Sequence, residues 1–570
     1  MKLDSKSTLG ILLITISILT LIPFIGLTDF HTKGEPREAI VAVSMLDSGN
    51  WILPENNGGD MAYKPPMFHW AIAVTSFLAG EVTEFTSRFP SALSAIIIAL
   101  FTFLFYAKRT NNNLAFLTSL LFLSAFEIHR AAMASRVDMV LALFIILALF
   151  QLYQWTEKNL KGIPLIATLF MGAATLTKGP VGIILPCAVT GAYLLLRNEN
   201  FWKLFYKLLI TALISCILPA IWYYLAYQQG GSEFINLVME ENFGRFLGKM
   251  SYESHEQPII YYIYTTIAGF IPWSVLVLFS LFALKYSSPN LSVKTWWNKL
   301  KSAVKNTDPI RLFTFLAFAV IFVFYCIPKS KRSVYLLPIY PFLAFFLAEY
   351  MLYLLKKHQK VWRAFGIFLS ILTGLVLIIF IVLKSGWVLP YLTNSGNFPE
   401  DIIYYIDAFH SSWDFISIGC VIILIIVLYQ IYKNKRELSL NNRYLYSVVA
   451  LFFWLQILLD ATILPTILNA KSMRPFAQQV EELIPEGKIY SYVGAPMMRF
   501  FIINFYNDNR VVEFEKEQPE EGYLLVGEKD YPHIAGKYSD KYKFTDILKS
   551  PRKGNDVKDI IHIYQFEKIK

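Results

Sequence analysis

Charge is scarce in this sequence, and the scarcity excludes more than any motif does. Only 16% of the 570 positions are charged while 55% are hydrophobic and 16% aromatic, too apolar a balance for water to cover the surface of a soluble chain. The composition is that of a polytopic membrane protein. Cysteine is also rare: Cys187, Cys216, Cys326 and Cys420 fall inside or at the edge of apolar runs with no CxxC spacing, which excludes a disulfide framework and a thiolate metal site. No repeat of solenoid period and no low-complexity tract is present. The first apolar run follows Lys2 and Lys6 and lacks a small-residue cleavage site, so 9–27 reads as a retained span rather than a removed signal.

What is there is a series of runs long enough to cross about 30 Å of hydrocarbon, which takes about 20 apolar residues each. They lie near 9–27, 88–106, 114–129, 138–155, 163–177, 180–196, 207–227, 260–284, 311–327, 335–355, 364–383, 414–432 and 445–465, thirteen in all. The apolar segment 67–80 is short and follows Pro65 and Pro66. Loop charge decides it: if 67–80 lies in the interface, Lys108/Arg109, Lys158/Lys161, Arg197/Lys203/Lys207, the Lys285–Arg311 loop, Lys356/Lys357/Lys360/Arg363 and Lys433/Lys435/Arg436/Arg443 all fall on the side of the N-terminus, as lysine and arginine do on the cytoplasmic face. The net charge of +10 then belongs to short loops facing anionic lipid, and no nucleic-acid partner is expected. The opposite face receives the first loop 28–87, the loop 228–259 and the C-terminal tail. The fold class expected is an α-helical polytopic membrane protein, a transmembrane region at 1–466 followed by a small extramembrane α/β domain at 467–570, where strand-length runs such as KIYSYV, YLLVGE and IIHIYQF begin. That domain shows neither a glycine-rich phosphate loop nor a triad spacing, so no chemistry is assigned to it.

The chemistry points to the first outer loop. In GEPREA, Pro36 suits a first helical turn and Glu35 and Glu38 fall three apart on one helical face. In YKPP, Lys64 stands before two prolines that deny it a regular partner. Other cations sit on the outer face where the charge rule makes them rare: Arg37, Arg130, Arg136, Lys178, Arg245, Lys249, Lys329, Lys331 and Arg332. Asp138 begins a span two residues after Arg136, Lys178 lies in the Gly-Pro break of LTKGPVG, and three cations precede Tyr335 and Tyr340 in KSKRSVYLLPIYP. EFINLVMEENFGRFLGKM reads as an amphipathic interfacial helix, with His255 beyond it. Each feature also has a plainer reading: a helix-start acid or capping box for Glu35 and Glu38, a lysine snorkelling to lipid for Lys64, an ion pair between Arg136 and Asp138, an aromatic belt for the tyrosines. His255 has no metal partner in sequence, leaving a structural role, an anion contact or metal ligation.

The ordered set GEPREA, SGNWILP, YKPPMFHW, RVD, TKGP and KSKRSVYLLPIYP resembles the bacterial aminoarabinose transferases, within the superfamily of polytopic glycosyltransferases that includes the protein O-mannosyltransferases. The resemblance covers roughly residues 1–360. It implies the C-type glycosyltransferase fold with about thirteen transmembrane helices, a bacterial inner-membrane location with the N-terminus cytoplasmic and the C-terminal domain periplasmic, and inverting transfer of a sugar from a polyprenyl-phosphate donor to a lipid A-type glycolipid or other cell-envelope acceptor. The family's first loop carries an acidic pair followed by x-Arg; here it reads Gly34-Glu35-Pro36-Arg37, so one acid is missing. Tyr63 stands before Lys64 where the aminoarabinose enzymes often carry an acid, which puts a metal site and the aminoarabinose specificity in question. No cofactor is indicated, though a divalent metal is compatible with such chemistry.

Sugar transfer from a lipid phosphate needs fixed cations for the departing charge, for which Lys64, Arg37, Lys178, Lys329, Lys331 and Arg332 are the candidates. A hydroxyl acceptor needs a carboxylate base, Glu35, Glu38 or Asp138; a phosphate acceptor needs orientation instead. Tyr63, Arg136, His255 and Tyr335 are candidate substrate contacts. The alternatives are a transporter or flippase of polyprenyl-linked sugars or lipids, and a protein O-glycosyltransferase. A transporter keeps its ion sites near the middle of the membrane in broken helices. Here the acids sit at the outer ends of spans.

Overall fold

A run of leucine, isoleucine and phenylalanine in hydrocarbon must satisfy its backbone internally, and helix does this segment by segment. The structure, a computed structural model describing residues 5–244, 256–284, 302, 304–395, 400–410, 414–436, 440–495 and 498–569, is mostly helical. The chain opens with α1 (Lys6–Leu21), whose first turn is capped by the Ser5 hydroxyl accepting from Thr8 N at 3.2 Å. Shorter elements follow: α2 (Gly34–Ser48), a hairpin of β1 (Glu55–Asn56) and β2 (Asp60–Met61), and α3 (Met67–Ala79). Then come α4 (Glu84–Ala107), α5 (Asn112–Leu123), α6 (Phe126–Ala132), α7 (Val137–Glu157), α8 (Leu165–Lys178) and α9 (Val181–Leu196).

Among the described residues seven helices are long and apolar enough to cross a membrane: α4, α7, Pro309–Cys326, Ser333–Lys357, Gln359–Ser385, Phe415–Asn434 and Asn442–Ala470. Three further pairs pass that test only together, because each is bent at a break. The chain is a multi-pass membrane protein. The run expected at 114–129 is one of these pairs, α5 and α6, bent by 64°. At the break the Ser124 hydroxyl bonds back to Leu120 O at 2.7 Å and accepts from Trp273 Nε1 at 2.9 Å, competing with the helix ladder. The run expected at 260–284 is bent by 106° between Ile260–Gly269 and Trp273–Leu281, so it does not cross as one straight rod. The loop expected from 228 begins later: helix Ile217–Met239 continues past it, kinking at Gly231, and runs into a π turn at Glu240–Gly244.

The helices pack around one large apolar core in which Tyr106 stacks on Phe345 at 4.4 Å and reaches the Thr314 hydroxyl at 2.9 Å. Beyond Ala470 a five-stranded sheet forms in the order β4-β3-β5-β7-β6 from β3 (Ile489–Tyr492), β4 (Val511–Glu513), β5 (Glu521–Gly527), β6 (Tyr542–Lys549) and β7 (Ile561–Lys568). β3 runs parallel to β4 and β5, while β7 is antiparallel to β5 and β6. This sheet unit is clamped to the first loop. Arg474 pairs with both Asp29, at 3.1 Å, and Glu84, at 3.6 Å. Tyr506 donates its hydroxyl to Glu84 and accepts from Phe30 N. The hairpin turn reaches further in: a Cβ on Gly58 would lie 2.7 Å from Val512, and its φ of 74° favours glycine as well.

Candidate active site

Helix α2 places two acids at its start, and they go to different partners. Glu35 is sealed against Arg88 of α4, with Nε to Oε1 at 2.8 Å and Nη2 to Oε2 at 3.3 Å, and it also accepts Ser135 N at 2.9 Å. Arg88 is 1% exposed and gives its remaining donors to Ile25 O, Thr28 O and Oγ1, and Asp29 O. A buried guanidinium needs a carboxylate, and Glu35 supplies it. Burial pushes the Glu35 carboxyl up, but Arg88 and the Ser135 amide together hold it below the usual range. Glu35 thus lies inside the joint between α2, α4 and the α6–α7 loop, both oxygens occupied.

Glu38 meets a different set. It is a capping-box residue in neither direction, since no side chain caps the start of α2. Its Oε1 accepts from Arg37 Nη2 at 2.7 Å and lies 4.0 Å from Lys64 Nζ, while Oε2 lies 2.8 Å from His69 Nε2. Burial pushes the carboxyl up; Lys64, Arg37 and His69 outweigh it and hold Glu38 well below the ordinary carboxylate range. Lys64 is therefore drawn to a carboxylate beside it, and its side chain is one-third exposed. Tyr63 packs next to it against the apolar patch of Leu53, Leu176 and Trp222.

Asp138, at the start of α7, is held by Lys178 at the end of α8, and Lys178 in turn sits 4.0 Å over the Tyr335 ring. The ion pair expected between Arg136 and Asp138 is thus replaced by one across helices. Gly179 makes the turn that aims Lys178. Its φ of 83° and ψ of −159° suit glycine alone, and Asn242 Oδ1 fills the space where a Cβ would stand.

A third group of cations lines a cavity of about 250 Å³ between the α6–α7 loop and the KSKRS segment. Arg130, Arg136, Lys331 and Arg332 face it together with Tyr261 and Ser333. Lys329, one turn away, is exposed, and its carbonyl accepts Gln257 N at 3.2 Å. Arg245, Lys249 and His255 lie outside the described residues. Among those described, no group of three or more His, Cys, Asp or Glu side chains is placed to hold a metal ion.

The structure thus brings Arg37, Glu38, Lys64 and Tyr63 into one cluster and Asp138, Lys178 and Tyr335 into a second, and sets Arg136, Lys331 and Arg332 on a third. It leaves Glu35 in a joint. Two residues carry more than their sequence signals show. His69 is buried inside YKPPMFHW and holds Glu38, a partnership that no local spacing signals. Arg88 opens the apolar run at 88–106, and a cation at that place is itself a signal that a buried acid meets it.

Residues 63–223 match the family model described as dolichyl-phosphate-mannose-protein mannosyltransferase. An undecaprenyl phosphate-alpha-4-amino-4-deoxy-L-arabinose arabinosyl transferase of Shewanella sediminis is 25% identical over 66% of this chain and 66% of its own length. The crystal structure of ArnT from Cupriavidus metallidurans bound to undecaprenyl phosphate shares the fold at a TM-score of 0.69, with 18% identity and 97% of each chain covered. The chain is thus similar in sequence to the aminoarabinose transferases and, over residues 63–223, to the protein mannosyltransferase model, and it shares the ArnT fold. An uncharacterized protein of Aquifex aeolicus is 29% identical over 59% of this chain and 63% of its own length. The chain therefore spans slightly under two thirds of these two curated relatives' lengths in sequence, and the solved ArnT fold along nearly all of its own.

Proposed function

We propose that the protein is an integral-membrane glycosyltransferase that moves a sugar from a polyprenyl-phosphate donor to a glycolipid acceptor of the cell envelope, lipid A-like in type. The observation that carries this reading is Glu38, a buried carboxylate held ionised among Arg37, Lys64 and His69. It lies in a chain with the fold of ArnT, which has been solved in complex with undecaprenyl phosphate.

The acceptor oxygen attacks the anomeric carbon as the bond from that carbon to the donor phosphate oxygen breaks. The electron pair leaves on the polyprenyl phosphate, and configuration inverts in the single displacement. Lys64 and Arg37, with Lys178, are placed to hold the phosphate as its charge grows. A hydroxyl acceptor gives its proton to Glu38 or Asp138; a phosphate acceptor arrives without one and is only oriented.

The topology that fits is thirteen spans: the seven long helices, the three bent pairs, and three of the four shorter apolar helices, α1, α8 and α9, with α3 lying along the surface. What supports it is that Arg474 ties Asp29 to Glu84, so the 28–87 segment leaves and re-enters at one face. The cytoplasmic N-terminus then puts this loop, the sheet unit and the site on the periplasmic face of the bacterial inner membrane. The test is transfer by the purified full chain from an undecaprenyl-phosphate sugar, with mass spectrometry of envelope glycolipids from cells with and without the gene. A sugar-modified glycolipid that disappears with the gene supports the reading; unchanged glycolipids and no product overturn it.

A further inference from the structure

The cavity between the α6–α7 loop and the KSKRS segment differs from the other two clusters in its charge balance. Glu38 answers Arg37 and Lys64, and Asp138 answers Lys178. Of the four cations on the cavity, Arg130 pairs with Glu127 at 2.7 Å, and no acid lines the cavity among the described residues. Lys331 is only 5% exposed, yet the acceptors of its ammonium are the carbonyls of Pro328 and Lys329. A buried lysine with no anion beside it is unfavourable unless something anionic arrives.

The reason for the imbalance is in the first loop. A Cβ built on Gly34 would lie 3.4 Å from Arg136 Nη2. A carboxylate side chain at position 34 would reach Arg136. With glycine instead, Arg136 faces the cavity with no acid within ion-pairing distance among the described residues. Burial and then the neighbouring Arg332 both disfavour its charge, so the cluster repels itself. Its frame is nonetheless fixed: Ser333 N donates to Tyr261 OH at 3.1 Å, Ser91 Oγ donates to Arg136 O at 3.2 Å, and Glu256 bridges to Ser330.

We infer that this cavity is a second anion site, which takes a phosphate group on Arg136, Lys331 and Arg332 independently of the cluster around Lys64. The inference rests on the glycosyltransferase reading only for the role of the Lys64 cluster. It concerns one chemistry, a phosphate ester, with two sources: free phosphate from water, or a phosphomonoester headgroup presented by a membrane lipid. Arginine forks suit the planar pairing of phosphate oxygens, and a buried ammonium completes the charge.

Three full-length proteins decide it: wild type, Arg136→Gln with Arg332→Gln, and Gly34→Asp. The last keeps every cation and adds a carboxylate at a helix start, where the macrodipole favours it. Each is titrated with inorganic phosphate in neutral detergent and, after reconstitution, with phosphatidic acid in phosphatidylcholine vesicles; undecaprenyl phosphate is titrated in parallel into these and into Lys64→Ala. Both cavity variants are expected to lose phosphate affinity at least tenfold and to keep undecaprenyl phosphate affinity within twofold. Loss with inorganic phosphate identifies a free-phosphate site; loss with phosphatidic acid vesicles alone identifies a lipid headgroup site. Unchanged affinity of both probes in both variants overturns the inference. Equal undecaprenyl phosphate binding in wild type and Lys64→Ala overturns the donor assignment and leaves the cavity result standing.

Discussion

Glu35 and Glu38 sit one helical turn apart on α2, yet one region is closed and the other open. Around Glu35 the arginine has spent its donors on Glu35 and on main-chain and threonine oxygens of 25–29, so the pair joins α2 to α4 and nothing enters. Around Glu38 the carboxylate is just as buried, but Lys64 is one-third exposed and Arg37 is more so. Burial of the acid does not separate structure from chemistry. The exposure of its cations does.

The strongest way to break that comparison is Glu38→Gln, which keeps shape and removes charge. Sugar transfer to a hydroxyl acceptor by the purified protein should fall by the roughly 10²–10⁴-fold typical of a lost acid–base group, with an unchanged melting curve. Glu35→Gln or Arg88→Ala should do the reverse. Each leaves a buried charge without its partner and should cost about 3–5 kcal/mol of stability, read as a lower melting temperature in detergent. If Glu35→Gln melts normally and transfers nothing, the roles of the two acids are exchanged.

A third buried acid sharpens the contrast because no cation among the described residues forms an ion pair with it. Asp556, in the sheet unit, accepts Ile502 N at 2.9 Å through Oδ2 while Oδ1 has no partner among the described residues, and burial pushes its carboxyl up to about 7. The folded state then holds a proton that the unfolded chain has released. Stability from this group is greatest below the unfolded value near 3.9 and declines as pH rises to about 7. Asp556→Asn should remove that decline and stabilise the protein at pH 8 by on the order of 3 kcal/mol, with little change at pH 4. A variant no more stable than wild type at pH 8 would mean that the carboxylate finds water or Lys33.

The smallest effect expected is that of Lys64→Ala. Losing one charge-assisted bond worth about 1.5–3 kcal/mol should weaken undecaprenyl phosphate binding at least tenfold while the protein stays folded. Unchanged binding would return Lys64 to being only the counter-charge of Glu38.

The membrane class, most of the apolar runs and the strands beyond residue 488 follow from the sequence alone, because hydrocarbon and sheet each impose a length and a period on the chain. The polar motifs were equally visible: GEPREA, YKPP, RVD, TKGP and KSKR each stood out as charge where little was expected. Their partners were not. Sequence spacing put Glu35 and Glu38 on one face of α2, but α4 and α3 approach that face from different directions, and Arg88 and His69 arrive from 53 and 31 residues away. Arg136 and Asp138, two residues apart, looked like a pair until α8 brought Lys178 across. The bends at Ser124 and before Trp273 were hidden for the same reason, since the Ser124–Trp273 contact joins residues 149 apart. Apolar burial needs only the right residue types in the right rhythm, whereas an ion pair needs two atoms within a few ångströms, and only tertiary packing decides which cation each acid meets.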